Sequence, residues 1–92
     1  MSNINENITE QTTPSFTRGE KLVGITFNVG ARQDVHDCKQ RFAFAIDQLE
    51  AYKQDAFAQG TLNSTKEMLI EEAQKRILDA QMWAVKAITY GI

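Results

Sequence analysis

A histidine and a cysteine, His36 and Cys38, lie two residues apart, with the carboxylates Asp34 and Asp37 beside them. These residue types could form a metal centre or a Cys-His nucleophile pair. On a helix, though, residues at positions i and i+2 do not face each other, and the sequence offers no second group of ligands. We therefore interpret the cluster as a solvated helix start with a buried thiol, and expect neither a metal site nor a nucleophile there.

Other catalytic motifs are missing from the sequence. It has no glycine pattern of a phosphate loop or of a dinucleotide-binding fold. Its acidic cluster, Glu67, Glu71 and Glu72, resembles a carboxylate ligand set, but it falls in the first turns of a predicted helix, where negative charge complements the helix dipole. The sequence therefore indicates a binding protein rather than an enzyme, with no metal and no cofactor.

The glycine-rich segment 18–30 is the best candidate for a binding site. Within eleven residues it holds two cations, Arg18 and Lys21, an aromatic ring, Phe27, and a side-chain amide, Asn28. Cations bind phosphates, a ring stacks on a base and an amide reads a base edge, so these are the groups that a nucleotide needs. The alternative is a loop that packs its apolar side chains onto the rest of the fold, and composition alone favours that alternative.

Length and charge narrow the choice of partner. The chain has 92 residues, so it forms one domain at most, and its formal net charge of -2 argues against binding to long nucleic acid. No apolar run approaches the roughly 20 residues of a transmembrane helix, and we see no secretory signal. One cysteine cannot form an intrachain disulfide, which fits a reducing cytosol. We expect a cytoplasmic protein that binds no membrane.

Two long helices are predicted for most of the chain. The first begins near Asp34, which can cap it, and ends at Gly60. The second begins at Ser64, which has the capping-box spacing to an acidic residue, and ends at Gly91. Apolar residues at heptad spacing are typical of helices that pack along their whole length. They are Val35, Cys38, Phe42, Ala45, Leu49, Tyr52 and Ala56 on the first helix, and Ile70, Ala73, Ile77, Ala80, Ala84 and Ala87 on the second.

The short connection between these helices predicts an antiparallel helical hairpin. Further apolar side chains lie off the two predicted seams and need partners that one hairpin lacks. They are Phe44, Ile46 and Phe57 on the first helix, and Leu69, Leu78, Met82, Trp83, Val85 and Ile88 on the second. Burying a large apolar side chain stabilises by about 1.5–3 kcal/mol, so we expect hairpins to associate. The predicted fold class is all-α: a long antiparallel hairpin that assembles into a homo-oligomeric bundle.

The predicted domain organisation has two parts. Residues 1–17 are rich in polar side chains and contain the one proline, so we expect a flexible polar arm. Residues 18–92 form the hairpin domain, which oligomerises and binds ligand. Glycines argue against a confident helix over 18–24, although a short helix there is an alternative to the arm. Residues 25–29 have the character of an extended segment, but no partner strand is evident.

Three stretches of the sequence resemble a family of small phage proteins with a helical-hairpin domain. They are GEKLVGITFN at 19–28, FAFAIDQL at 42–49 and AQMWAVKA at 80–87. The resemblance covers about residues 18–90, and MWAVKA is its most specific element. The characterised members are cyclic-nucleotide sponges that antagonise the bacterial CBASS defence, and a related group acts against Thoeris. They sequester the signalling nucleotide without cleaving it.

The resemblance implies a compact hexamer that holds cyclic dinucleotides in pockets between subunits and cyclic trinucleotides in a separate class of pocket. The family's dinucleotide pocket uses an aromatic residue and a lysine, for which Lys21 with Phe27 or Phe16 are the nearest candidates. A basic residue on the last helix lines the trinucleotide pocket, and Arg76 or Lys86 would serve. The implied ligand-binding set is Arg18, Lys21, Phe27, Asn28, Arg76 and Lys86. The expected place of action is the cytoplasm of the infected bacterial host.

Two other interpretations stay open. The chain could be a structural or adaptor hairpin whose second apolar face docks a host or phage protein. A sponge should lose function when Arg18, Lys21 or Phe27 is changed, whereas an adaptor should depend on its surface apolar residues. The third interpretation is a small hydrolase, which the missing catalytic constellation disfavours.

Overall fold

The computed structural model describes residues 15–91, and its regular elements there are all helices. They are α1 (Arg18–Val23), α2 (Gln33–Ala58) and α3 (Ser64–Thr89). The two long helices have 26 residues each and pack against each other, while α1 packs mainly on α2. The predicted all-α class is thus confirmed.

Three other predictions concern the described range. Of the predicted arm at 1–17, only the last three residues are described, and one of them, Thr17, is the cap of α1. The segment 25–29 is not extended, since turns and irregular backbone follow α1 and no strand occurs within 15–91. In that same range, no helix is both long enough and apolar enough to cross a membrane.

The short helix α1 is held at both ends by local hydrogen bonds. The Glu20 amide donates to the Thr17 hydroxyl at 3.1 Å, and the Thr17 amide donates to a Glu20 carboxylate oxygen at 3.0 Å, which completes a capping box. At the other end Gly24 has a φ of 64°, a left-handed conformation that glycine adopts without strain. The Ile25 amide then donates to the Glu20 carbonyl at 3.0 Å. The short helix that the sequence left as an alternative is therefore present, and Gly24 ends it.

A second glycine, Gly19, sets the distance between α1 and α2. A Cβ at this position would lie 2.1 Å from the Ala43 carbonyl oxygen, so a larger residue would force the two helices apart. The Gly19 amide donates to the Asp47 carboxylate at 2.7 Å, which ties α1 to α2. The core beside this contact comprises Val23, Ile25, Ala43 and Ile46.

The buried face of α2 differs from the predicted heptad seam. Its buried positions are Val35, Lys39, Ala43, Ile46 and Ala56. Tyr52, which was predicted on the seam, is exposed, and Ile46, which was predicted off it, has no exposed surface. The prediction assumed a single partner for α2, but α1 and α3 share its buried face, so that face turns toward both.

The buried face of α3 also departs from the predicted stripe. Its buried residues are Ile70, Gln74 and Gln81, whereas Ala80 and Ala87 of the predicted seam are exposed. Two of the three buried residues are amides, which a search for apolar heptads passes over. The small residues of α3 therefore do not form a continuous buried stripe against α2.

The ends of the long helices lie close to the predicted ones, but their caps differ. The N-cap of α3 is Asn63, whose side chain accepts from the Lys66 amide at 2.8 Å, so the cap precedes the predicted Ser64 by one residue. The N-cap of α2 is Arg32, which makes no side-chain cap hydrogen bond. The predicted cap, Asp34, lies in the first turn and accepts a main-chain amide at 2.8 Å.

Candidate functional site

A buried lysine ties the segment after α1 to α2. Lys39 is 6% exposed, and its ammonium donates to the carbonyl oxygens of Gly24, at 3.0 Å, and of Phe27. The ammonium also lies 5.6 Å from the centre of the Phe27 ring. Among residues 15–91 no carboxylate forms an ion pair with it. Burying a charge is costly unless it is hydrogen-bonded or paired, and among the described residues carbonyl oxygens rather than a carboxylate meet the Lys39 charge beneath this segment.

An open groove of about 500 Å³, here called the α1 groove, lies beside Lys39. It is lined by residues of all three helices and of the turn after α1. Its lining residues are Leu22, Val23, Gly24, Phe27, Lys39, Leu78, Gln81, Met82 and Val85. Most of these are apolar, and the polar side chains among them are those of Lys39 and Gln81. Mainly apolar concavities of this size with a few polar groups are the usual form of small-molecule sites.

The loop between α1 and α2 presents Phe27 at the groove, with 74% of the residue exposed. The side-chain amide of the neighbouring Asn28 makes hydrogen bonds within the loop. Its Nδ2 donates to the Arg32 carbonyl at 2.7 Å, and its Oδ1 accepts from the Arg32 amide at 3.2 Å. Because both ends of the amide close the loop, Asn28 shapes the segment that carries Phe27 and is not available to read a base edge in this arrangement.

The predicted cations on α1 lie outside the α1 groove. Arg18 Nε is 3.4 Å from Glu50 Oε1, so its charge is met by a carboxylate of α2. A hydrogen bond from the Gln74 amide, at 3.2 Å, lowers the pKa of Glu50, and the nearby charges of Lys53 and Arg18 act in the same direction. Lys21 is exposed in the last turn of α1.

The two predicted basic residues of α3 are also apart from the groove. Arg76 Nε lies 3.2 Å from Glu72 Oε2 on the same helix, and the Lys86 ammonium lies 5.5 Å from the centre of the Trp83 ring. Ten residues of helix separate Arg76 from Lys86, which is about 15 Å along the axis. Of the six predicted ligand-binding residues, Phe27 is therefore the one that lines the α1 groove.

Sequence reasoning missed Lys39 and Gln81. Lys39 follows Val35 by four residues and precedes Ala43 by four, which is the spacing of a buried helix face. Gln81 follows Gln74 by seven residues, a heptad step on α3. Polar residues at core spacing were the available signal, and they were passed over because lysine and glutamine are usually solvated.

The region around His36 shows no catalytic arrangement within the described residues. His36 is exposed, while Cys38 is half-buried, and burial raises the pKa of its thiol. A raised pKa lowers the fraction of thiolate, which is the reactive form. Across residues 15–91, no three His, Cys, Asp or Glu side chains lie close enough together to hold a metal ion.

The α1 groove thus brings together an exposed aromatic ring, a cation and an amide. Such groups can stack on a base, attract a phosphate and read a base edge. Comparisons with protein-family models, with curated proteins and with solved structures found no match for this chain. Its function therefore has to be inferred from the chemistry of the groove and from the sequence resemblance.

Proposed function

We propose that the protein is a phage anti-defence protein that binds cyclic di- or trinucleotide second messengers without cleaving them and thereby blocks activation of host CBASS effectors. The observation that supports this most is the pairing of the exposed Phe27 ring with the buried Lys39 cation in one groove. An anionic ligand with flat bases complements both groups. Such a protein would act in the cytoplasm of the infected bacterial host.

The stretches that resemble the sponge family support the same proposal by their position. Leu22 and Phe27, from the stretch at 19–28, and Gln81 and Val85, from the stretch at 80–87, all line the α1 groove. These stretches are more than fifty residues apart in the chain. Their meeting at one concave surface is what we would expect if the resemblance reflects a shared binding site.

Sequestration also fits the chemistry that the groove carries. A sponge needs affinity and not a nucleophile, and among residues 15–91 no carboxylate or histidine is hydrogen-bonded to a groove side chain. The thiol of Cys38 lies elsewhere, with its pKa raised by burial. We therefore propose a binding protein and not an enzyme, and we expect bound ligand to be released intact.

We further propose that α2 and α3 form an antiparallel hairpin. Contacts between them support this order: Glu50 accepts from Gln74 at 3.2 Å, and the Lys53 ammonium lies 3.9 Å from a Glu71 carboxylate oxygen. In these contacts the residue number on α3 decreases as the residue number on α2 increases, which is the order expected of antiparallel helices.

The hairpins are proposed to assemble into a homo-oligomer, for which the family resemblance favours a hexamer. The exposed residues Leu69, Arg76 and Trp83 of α3 and Tyr90 at its C-cap recur at intervals of seven and form what we call the outer stripe. Leu69 is 59% and Trp83 is 64% exposed. Side chains at this spacing are typical of a helix that packs against another helix, and a second hairpin would cover them.

The proposal is tested by calorimetric titration of the purified protein with a panel of cyclic di- and trinucleotides. The complex is then denatured by heat, and the released ligand is identified by chromatography. We expect sub-micromolar binding of at least one member, with the ligand recovered intact. Absence of binding across the panel would contradict the proposal, and recovery of a cleaved ligand would contradict its non-enzymatic part.

A matched pair of phenylalanines sharpens this test. Phe27→Ala should weaken binding by about tenfold or more, because stacking on an aromatic ring contributes about 1–3 kcal/mol per base. Phe57→Ala is the control, since Phe57 is 73% exposed at the other end of α2 and lies outside the groove. Equal effects of the two substitutions would argue against Phe27 as a stacking residue.

A second candidate function is a structural or adaptor hairpin that docks a host or phage protein through the outer stripe. The exposure of Trp83 in that stripe favours it. An adaptor should lose its activity on Trp83→Ala and keep it on Phe27→Ala. A sponge should show the reverse, provided that Trp83→Ala leaves the oligomer intact by analytical ultracentrifugation.

A further inference from the structure

We propose that Asn28 is a positioning residue: its side chain fixes the loop after α1, so that the Phe27 ring is already in place at the α1 groove when a ligand arrives. This inference rests on the proposed function, because the ring in question is the one proposed to stack on a base. It replaces the sequence-based prediction that Asn28 contacts the ligand itself.

Packing contributes little to the outer part of this loop. Phe27 is 74% and Val29 is 83% exposed, and Gly30 and Ala31 are exposed as well. Ala31 has a φ of 51°, and no other non-glycine residue between 15 and 91 has a positive φ. Alanine is strained in this left-handed conformation and keeps it only where neighbouring contacts fix the backbone. Hydrogen bonds must therefore hold the loop.

Lys39 anchors the first part of the loop. Its ammonium donates to the carbonyl oxygens of Gly24 and Phe27, and the Phe27 amide donates to the Gly24 carbonyl at 2.9 Å. These bonds end at the Phe27 carbonyl, so they do not fix the direction in which the chain continues. A second anchor is needed beyond Phe27.

Asn28 supplies the second anchor. Its Nδ2 donates to the Arg32 carbonyl at 2.7 Å, and its Oδ1 accepts from the Arg32 amide at 3.2 Å. Arg32 is the N-cap of α2, and its carbonyl also accepts from the His36 amide at 3.1 Å. The Asn28 side chain therefore ties the loop to the first turn of a long helix and spans the strained Ala31. Phe27 lies between the two anchors, which together hold its ring at the groove.

Loss of the second anchor should lower ligand affinity by releasing the Phe27 ring. A ligand binds with an affinity reduced by the populated fraction of the competent conformation, so a ring in place about one tenth of the time would bind about tenfold more weakly. We expect Asn28→Ala to weaken binding by about fivefold or more. The measurement is calorimetric titration with cyclic di-AMP, cyclic tri-AMP and any other member of the panel that binds the wild type.

The matched control is Asn63→Ala. Asn63 is the N-cap of α3, and its side chain accepts from the Lys66 amide at 2.8 Å. Each substitution removes an asparagine side chain that bonds to the main chain at the start of a long helix, so both should lower the melting temperature by a few degrees. Asn63→Ala should keep the affinity within about twofold of the wild type, because it leaves the Phe27 loop intact.

A double-mutant cycle shows whether Asn28 acts through Phe27. In a Phe27→Ala background, Asn28→Ala should change the affinity by less than about twofold, because the ring that it positions is gone. NMR of the free protein gives an independent readout. The Lys39 ammonium lies 5.6 Å from the centre of the Phe27 ring, so Phe27→Ala should shift the Lys39 side-chain signals. Asn28→Ala should shift the same signals in the same direction, and Asn63→Ala should leave them in place.

Each contrary result has a distinct meaning. Unchanged affinity in Asn28→Ala, or Lys39 signals that stay at their wild-type positions, would overturn the inference. An equal loss of affinity with and without the Phe27 ring would assign Asn28 a direct ligand contact, and an equal loss in Asn63→Ala would assign the effect to lowered stability. Either of these results also overturns the inference while the proposed function stands. If the wild type binds no member of the panel, the proposed function fails, and this inference fails with it.

Discussion

The two ends of the α2–α3 pair are built by different kinds of contact. At one end, which we call the α1 end, α1 and residues 24–32 are held by contacts between residues distant in sequence, such as the bond from Gly19 to Asp47 and those from Lys39 to Gly24 and Phe27. At the other, the turn end around residues 59–63, the contacts are local. The long-range contacts at the α1 end form the concave surface of the groove. The local contacts at the turn end join α2 to α3.

The comparison also shows what makes an exposed aromatic ring a candidate for ligand binding. Phe27 and Phe57 are almost equally exposed, at 74% and 73%. Phe27 lies over the buried Lys39 cation and shares the α1 groove with the Gln81 amide, while the small cavity at Phe57 is lined by residues near the turn such as Leu62 and Glu67. Exposure alone therefore does not identify a site. Buried polar groups beside the exposed ring are what indicate a site.

The largest effect is expected from Gly19→Ala, which attacks the α1 end directly. The added Cβ would meet the Ala43 carbonyl at 2.1 Å, so α1 must move away from α2. Overpacking of this kind costs about 1–3 kcal/mol, and the displaced α1 would also open the groove. We expect a lower melting temperature and loss of ligand binding, measured by thermal unfolding and calorimetry.

The matched substitution at the turn end is Gly60→Ala. Gly60 has a φ of 75°, but an added Cβ would meet nothing within 4 Å. Strain in the left-handed conformation should cost about 1–2 kcal/mol while ligand affinity is retained. Loss of affinity in both variants, or in neither, would break the contrast between the two ends.

An effect on folding of similar size, but without displacement of α1, is expected from Lys39→Met. The substitution removes a buried charge but leaves the carbonyls of Gly24 and Phe27 without their donor, which should cost about 1–3 kcal/mol in unfolding free energy. Affinity for an anionic ligand should fall by about tenfold or more, because hydrogen bonds to charged groups contribute about 1.5–3 kcal/mol.

The control for that substitution is Lys53→Met, nearer the turn end. The Lys53 ammonium lies 3.9 Å from carboxylates of both Glu50 and Glu71. Such ion pairs are worth about 1 kcal/mol or less, and the ligand affinity should not change. If Lys39→Met bound ligand as well as Lys53→Met does, Lys39 would not belong to the site.

At the turn end, Asn63→Ala tests the local contacts. It removes the side-chain oxygen that accepts from the Lys66 amide at 2.8 Å at the start of α3. Loss of an N-cap costs about 1 kcal/mol, measured by chemical denaturation. Ligand affinity should stay within about twofold of the wild type, since 1.4 kcal/mol corresponds to tenfold and the cap touches no groove residue. A large drop in affinity would show that the two ends are coupled.

The smallest expected effect is the response to acid. Hydrogen bonding to the Thr17 amide lowers the pKa of Glu20, and hydrogen bonding to Gln74 lowers that of Glu50. A lowered pKa in the folded state gives stability that is present above the usual glutamate value and is lost as the pH falls through the folded value. Both glutamates hold α1, one through its capping box and one through Arg18. Between pH 6 and 3, the protection factors of the α1 amides, which correct for the intrinsic fall in exchange rate with pH, should therefore decrease.

The control for the acid response is the double variant Glu20→Gln, Glu50→Gln. It should remove most of this pH dependence of the protection factors in α1, because neither position can then titrate. An unchanged pH profile in the double variant would assign the loosening of α1 to other groups.

The elements that arise from local signals could be predicted from the sequence. The ends of α2 and α3 follow from Gly60, the cap region near Ser64 and the apolar periodicity, and Phe27 stood out as an aromatic residue outside the long helices. The capping box of Thr17 and Glu20 was present in the sequence but was not recognised there. Gly19 proves to be the contact that docks α1, and nothing local distinguishes such a glycine from a helix breaker.

The groove itself could not be predicted, because it depends on how three helices meet. Lys39 and Gln81 are residue types that usually face solvent, but here they are buried beside residues of α1 at the groove. The predicted seam assumed that α2 packs against one other helix. It therefore placed Tyr52 in the buried face and Ile46 outside it. A third element changed which side chains lie in the core.

The most direct test of this account is a chemical-shift titration of isotopically labelled protein with cyclic di-AMP and cyclic tri-AMP. The account predicts that the largest amide shift changes fall at the α1 end, at Phe27, Lys39, Gln81 and their neighbours, and that residues 55–66 barely move. Largest changes at the turn end or along the outer stripe would contradict the assignment of the groove. Unchanged spectra with these probes and with the wider panel would contradict the proposal that the protein binds cyclic nucleotides.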